Sequence, residues 1–282
     1  MNDDNVLLKS LKCYLCNRGE WELTGVITKK PEKETDFGID PEDYHRIICL
    51  CKHCGVYNNF HNYDFDKLYV DSYNTATYNN NILSRYNQLM NLPPASSDNK
   101  NRVERIAHFF EKKGIGLEGL RALDVGSGLC VFLGELQKYG AEGHCLDPGA
   151  ISINHALNNV GVKSAYQGDF FSYQSGLKFG LITFNKVLEH VDCPISFLEK
   201  ARIFLERGGI VYIELPDGLN ALNNGKLTER EEFYIEHYTI FSPDALSYLS
   251  QACGYSILES ESVKEPSEKY TIYAFLSYLG KQ

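Results

Sequence analysis

RALDVGSGLCVFLGELQKYGAEGHCLDPG, residues 121–149, decides the fold. Ala122, Leu123 and Val125 make the short apolar run of a buried parallel strand. Gly126 and Gly128 can take positive φ and let a ligand approach the backbone. Val131, Phe132, Leu136 and Tyr139 then recur at helical spacing until Gly140 ends the helix. A second strand follows and stops at Asp147, 19 residues after Gly128. In such a unit an acidic side chain at that place meets ribose hydroxyls.

Two ligand classes use a strand, glycine turn and helix in this way. A dinucleotide fold wants a third glycine where this chain has Val131, so that the helix N-terminus can close on a pyrophosphate. Asp124, two residues before Gly126, would also repel a phosphate. The same carboxylate suits a cation carrying an ammonium and a sulfonium. On these residues LDVGSGLCVFL resembles the first motif of class I S-adenosylmethionine-dependent methyltransferases, with Cys130 where that family more often has glycine. The resemblance implies an α/β fold, a Rossmann-like seven-stranded sheet. It also implies a donor site formed by Asp124, Gly126, Ser127, Gly128 and Asp147.

The rest of the core fits that expectation. SAYQGDFF reads as the third strand, with Asp169 at its carboxyl end. In the resembled family this acid contacts the adenine amino group, with Phe170 beside the ring; a turn cap is the other reading of Asp169. Leu181, Ile182 and Phe184 read as the fourth strand, leaving through Asn185 and Lys186. The carboxyl ends of parallel strands are where open α/β sheets bind ligands. Asn185 therefore joins the donor-side set. His190, in LEHVDCP, is either a general base near the transferred methyl or a helix-start residue bonded to backbone. Gly208-Gly209 is expected to turn the chain into the fifth strand, IVYIELPDG. YSILESESV and TIYAFLSYLG should close the domain as a hairpin.

FYIEHYTIFSP bunches Tyr234, Glu236 and His237 before Phe241. This cluster resembles the Tyr-x-Glu-His motif of deoxysugar C-methyltransferases, which also carry an N-terminal zinc ribbon. Carried over, His237 is the leading base, Glu236 its orienter or a sugar-hydroxyl acceptor, and Tyr234 a hydrogen-bond donor. A carboxylate beside an imidazole does stabilise its protonated form. Adjacent strand residues point to opposite faces, however, so cooperation of Glu236 with His237 needs an irregular backbone.

Nine cysteines in a chain without secretory features point to metal rather than to disulfides. Cys13-x-x-Cys16 and Cys51-x-x-Cys54 can each present two thiolates, completing the tetrahedron that Zn²⁺ prefers and leaving no open position. WELTGVIT and YHRIICL read as strands between the two knuckles, which makes a structural zinc ribbon. A redox role would normally need one such pair beside a βαβ unit. The organisation expected is a zinc-ribbon module over 1–60, a linker and substrate-side cap over 61–100, and the methyltransferase domain over 101–282. Tyr73 and Tyr78, in the Tyr- and Asn-rich cap, are substrate-side candidates.

The net charge of −9 weighs against a polyanionic partner such as nucleic acid. No apolar run approaches the roughly 18 residues of a membrane span, and MNDDNVLLKS lacks the basic and apolar regions of a signal, so a cytoplasmic location is expected. The reading that results is methyl transfer to a small molecule, a nucleotide-linked or polysaccharide sugar. RNA base methylation is an alternative, because some RNA methyltransferases carry an N-terminal zinc module. A non-catalytic S-adenosylmethionine-binding or assembly module is another.

Overall fold

The computed structural model describes residues 10–63 and 81–280. Tyr73 and Tyr78 lie outside the described residues. The chain begins with an antiparallel pair, β1 (Trp21–Ile27) and β2 (Arg46–Cys51), to which β3 (Tyr57–Phe60) adds. α1 (Ile82–Met90) follows, then α2 (Asp98–Lys112). Ser97 starts α2 by accepting the Lys100 amide on its side chain.

The sheet that carries the site is built next. It comprises β4 (Arg121–Val125), α3 (Val131–Leu136), β5 (Glu142–Asp147), α4 (Ala150–His155), β6 (Ser164–Gln167) and β7 (Phe179–Asn185). α5 (Pro194–Phe204) leads into β8 (Leu205–Pro216), and α6 (Gly218–Asn223) follows. After β9 (Thr239–Ile240) and α7 (Pro243–Ala252) the chain closes with β10 (Tyr255–Lys264) and β11 (Tyr270–Tyr278). Gly208, expected as a turn, lies inside β8 at φ +79°, where the pairing with β7 shifts register.

The seven strands run in the order β10-β11-β8-β7-β4-β5-β6, parallel from β8 to β6, with β11 antiparallel between β8 and β10. This is the Rossmann-like methyltransferase sheet anticipated from residues 121–149. Strand alternation explains its burial on both faces. Leu123, Val125, Ile182, Phe184, Val211 and Ile213 join one core, while Ala122, Leu181, Ile210 and Tyr212 join the other. The second core is covered by Val103, Ile106, Phe109 and Phe110 of α2, with Phe109 stacked on Phe275 at 3.8 Å. Strand order reverses on either side of β4, and at that switch point the carboxyl ends of β4 and β7 open a crevice.

A buried charge cluster fixes α2 to β8. Glu214 of β8, fully buried, accepts from Arg102 (2.5 Å), Arg105 (2.7 Å) and the Tyr212 hydroxyl (2.7 Å). Burial alone would raise its pKa, but Arg102 and Arg105 outweigh it and hold the carboxyl well below the usual range.

The N-terminal strands do not stand apart. β3 pairs antiparallel with β9, Tyr57 opposite Ile240 and Asn58 opposite Thr239, so a four-stranded sheet, β1-β2-β3-β9, joins the first residues to the segment after His237. Cys13, Leu15, Cys51, Cys54 and Val56 pack into the same core as Phe241, Leu246 and Leu249. Among the described residues no helix is long and apolar enough to cross a membrane.

Candidate functional site

The loop after β4 is held from both ends. Gly126 and Gly128 take φ +73° and +49°, and a Cβ on Gly126 would come within 2.7 Å of the Val187 side chain. Cys130 adopts φ +58° without being glycine, a strain of about 1 kcal/mol or more. Its side chain is fully buried. Asp147 accepts the Gly128 amide on one carboxylate oxygen and the Gly149 amide on the other, each at 2.8 Å. Burial pushes its pKa up, against the pull of those two amides.

Asp124 sits at the floor of the crevice, 2% exposed. Its Oδ1 accepts from Thr183 Oγ1 (2.7 Å) and Asn185 Nδ2 (2.9 Å). Burial pushes its pKa up to about 7 despite these donors. Ser127 Oγ and Asn185 Oδ1 are buried here without a hydrogen-bond partner among the described residues. Two buried, unsatisfied oxygens beside a buried carboxyl are a costly arrangement unless a polar ligand completes it. The residues therefore fit a cationic amino-acid ligand, of which S-adenosylmethionine is one.

Asp169 and Phe170 are placed differently from this set. Asp169 is exposed, and its Oδ1 caps the following turn by accepting from the Phe171 (2.7 Å) and Ser172 (3.0 Å) amides. Phe170 is 2% exposed and packs among Phe184, Phe197 and Phe204, whereas Phe171 is 46% exposed.

Beyond the carboxyl end of β7 the structure brings His190 and His237 together. β7 ends at Asn185, Lys186 turns the chain at φ +58°, and a 3₁₀ turn spans Leu188–His190. The two rings lie 4.8 Å apart, edge to face. His190 Nδ1 meets the Glu236 carbonyl (3.0 Å) and His237 Nδ1 the Glu232 carbonyl (2.8 Å). A carbonyl only accepts, so both Nδ1 atoms carry the proton and both Nε2 atoms are unprotonated in the neutral rings. Burial pushes the His190 pKa down to about 4 and that of His237 well below its usual value. The atom orienting His237 is thus the Glu232 carbonyl rather than the Glu236 carboxylate, because adjacent residues diverge. Burial pushes the Glu236 carboxyl up to about 7, on the side where Glu34 and Arg46 act on it. Tyr234 is 8% exposed, and burial pushes its hydroxyl up to about 12.

Two residues that sequence reasoning passed over complete this half. Glu189 is 1% exposed, with Oε2 unpartnered among the described residues, and burial pushes it up to about 7. One donor atom from each of Glu189, His190 and His237 lies within 4.8 Å of the others. That constellation could suit a divalent cation, but the ammonium of Lys186 already acts on all three groups. Lys186 donates to Thr271 Oγ1 at 2.7 Å. With a fixed cation present, proton transfer is the chemistry the cluster favours.

The four paired cysteines converge. Sγ atoms lie 3.6 Å apart for Cys13 and Cys54 and 3.5 Å apart for Cys16 and Cys51, with all four within 4.8 Å. A tetrahedral Zn²⁺ with bonds of about 2.3 Å sets its sulfurs about 3.8 Å apart, so the donor set fits. Both knuckles close alike. Asn17 N donates to Cys13 O and Gly55 N to Cys51 O, each at 2.9 Å, and Asn17 and Gly55 take φ +58° and +74°. Cys49 packs in a separate core with Ile47 and Phe60, and the His53 ring lies against Tyr248.

Comparison with known proteins agrees with this architecture. A family model described as a methyltransferase domain matches residues 95–260. The ubiquinone biosynthesis O-methyltransferase of Actinobacillus pleuropneumoniae serotype 5b (strain L20) is 29% identical over 114 residues, 37% of this chain and 49% of that protein. The chain thus spans about half the length of that curated relative. Magnesium protoporphyrin IX methyltransferase from Synechocystis PCC 6803, solved with bound SAH, superposes with a TM-score of 0.57 at 13% identity, covering 76% of this chain and 99% of that one. A Burkholderia thailandensis 1,6-didemethyltoxoflavin-N1-methyltransferase gives 0.53 at 13% identity, covering 83% and 96%. At these identities the two structures speak to the fold alone.

Proposed function

The chain belongs to the methyltransferase-domain family, and from that premise we propose that its acceptor is a nucleotide-linked or polysaccharide sugar, methylated with a histidine as base. The observation that supports this most is the pair of neutral imidazoles with unprotonated Nε2 atoms, gathered after the carboxyl end of β7, the strand paired with the one that carries Asp124. A sugar hydroxyl, or a carbon made acidic by a neighbouring carbonyl, has to lose a proton as it is methylated. An amine acceptor would not need such a base.

S-adenosylmethionine, when bound, supplies an electrophilic methyl group on sulfur. Asp124 and Asn185 would take its ammonium, Gly126, Ser127 and Gly128 its approach to the backbone, and Asp147 its ribose. Asp169 would meet the adenine edge. His237 Nε2 takes the proton of the acceptor, with Tyr234 and Glu236 placed to bond neighbouring hydroxyls. The four cysteines would hold one structural Zn²⁺. To test the acceptor, the protein is incubated with isotopically labelled donor and panels of nucleotide sugars, polysaccharides, phenols and amines. Label in a sugar product is expected. Label confined to phenols or amines would overturn the sugar reading.

Donor binding should also depend on pH, in a direction that Asp124 sets. Its carboxyl titrates near 7 in the unliganded protein, and an ammonium beside it favours the carboxylate. Affinity is therefore full above that pH and weakens as pH falls, by up to about tenfold per unit. Asp124→Asn should lose about 10- to 150-fold in affinity, the value of a hydrogen bond to a charged group, and should flatten the pH dependence. Titration calorimetry on both proteins measures the two effects together.

A further inference from the structure

Residues 233–238, which carry Tyr234, Glu236 and His237, make five backbone hydrogen bonds to the N-terminal module. Asn59 Nδ2 donates to the carbonyls of Tyr234 (3.2 Å) and His237 (3.0 Å), and its backbone N–H donates to Tyr238 O (3.0 Å). Arg46 Nη1 donates to Phe233 O at 2.7 Å. Glu34 Oε1 accepts from Ile235 N (2.8 Å) and from Arg46 Nη2 (2.9 Å). Arg46 and Asn59 are fully buried and Glu34 is 3% exposed. From the sheet side, Tyr238 N donates to Glu189 O at 2.8 Å.

We infer that the N-terminal module is a positioning element of the acceptor half-site, acting through Asn59, Arg46 and Glu34 on the backbone that places His237 beside His190. A ribbon needed only for its own folding or for partner docking has no reason to spend a buried ion pair on a distant loop. An ion pair of this kind is weak support for stability, since well-packed apolar residues often serve as well. Its donors and acceptors, however, fix one geometry of the segment they bond. The two carbonyls held by Asn59 flank Glu236, whose own carbonyl orients His190. One side chain thereby sets the path of the chain past both rings.

The inference rests on the proposed role of the two imidazoles, and its test separates the two ideas. Asn59→Leu removes the donors at similar volume. Asn58→Leu is the control: Asn58 is equally buried on the same strand, but its side chain bonds Val56 O, Tyr14 N and the Cys13 thiol, all within the module. The readout is ring-nitrogen NMR titration of His190 and His237, assigned with single glutamine variants. Lys186 acts on both rings and Lys269 on His237, and the Glu189 carboxyl lies within 4.8 Å of both rings' donor atoms, while Glu34, Glu231 and Arg46 act on Glu236. In Asn59→Leu the rings should regain solvent and titrate closer to the ordinary value near 6.5. In Asn58→Leu they should stay neutral as in the parent. Donor affinity should remain within about twofold in both variants, while turnover in Asn59→Leu falls by about 10²-fold, the order that misplacement of a catalytic group costs. Equal ring titration in the two variants at equal loss of melting temperature would overturn the inference. Shifted rings with unchanged turnover would uphold the positioning and remove the general-base reading instead.

Discussion

Serine at both Cys51 and Cys54 should yield a protein without stoichiometric zinc and with an N-terminal region that no longer holds its fold. Apparent binding energies of structural zinc are about 10–16 kcal/mol in small modules, comparable to the whole stability of a domain, about 5–15 kcal/mol. The consequence spreads because the sulfurs are not peripheral. Cys13, Cys51 and Cys54 are part of the core that includes Leu246 and Leu249 of α7, and the strand leading to Cys51 pairs with β3, which in turn pairs with β9. Elemental analysis should find less than one zinc per chain, and limited proteolysis should cut within residues 10–63 first. Donor binding should survive, since Asp124, Asp147 and Asn185 belong to the other sheet. A double variant that keeps a full complement of zinc would contradict the assignment of these ligands.

Features written into short stretches of sequence were legible. The β4–α3–β5 unit announces itself through glycines whose positive φ the loop requires, and through alternation that buries both faces of a central strand. The convergence of the paired cysteines was legible because each Cys-x-x-Cys is a local turn that presents two sulfurs together. Pairings between distant residues were not. Nothing near Asn58 says that it will face Thr239, and nothing near His190 says that its ring will meet His237. Local periodicity carries no information about such encounters, which depend on how the sheet returns the chain. Lys186 was visible as the residue after the fourth strand, but its buried ammonium acts on groups from two segments. Phe170 illustrates the converse: its neighbour Asp169 suggested a ligand-facing ring, and packing against Phe184, Phe197 and Phe204 claimed it for the core.

Alanine at His237 should lower turnover by about 10²–10⁴-fold, the usual contribution of a positioned base, while leaving donor affinity within a few-fold. The split follows from the layout, because the donor-side groups Asp124, Asn185 and Asp147 do not bond either imidazole. A ring whose pKa is depressed by burial is neutral at pH 7, hence always ready to accept, though intrinsically a weaker base. Glu189 would offset that weakness: its carboxyl lies within 4.8 Å of both rings' donor atoms and, ionised, would stabilise the imidazolium once the proton arrives. The sign of the pH profile follows. Protonation of the rings removes the acceptor lone pair, so the base itself is lost only as pH falls through the depressed value, about 4 for His190, whereas the help of the Glu189 carboxylate falls away earlier, as pH drops through about 7. Alanine at His190 separates the two candidates. If His237 is the base, that variant loses the partner ring and its packing, and turnover falls less than in His237→Ala. If the order is reversed, His190 is the base. Single-turnover rates with saturating donor, set beside donor affinity from calorimetry, resolve the three outcomes. Unchanged turnover in both variants would mean that no base from this cluster is used, which would move the acceptor from a hydroxyl or carbon towards an amine.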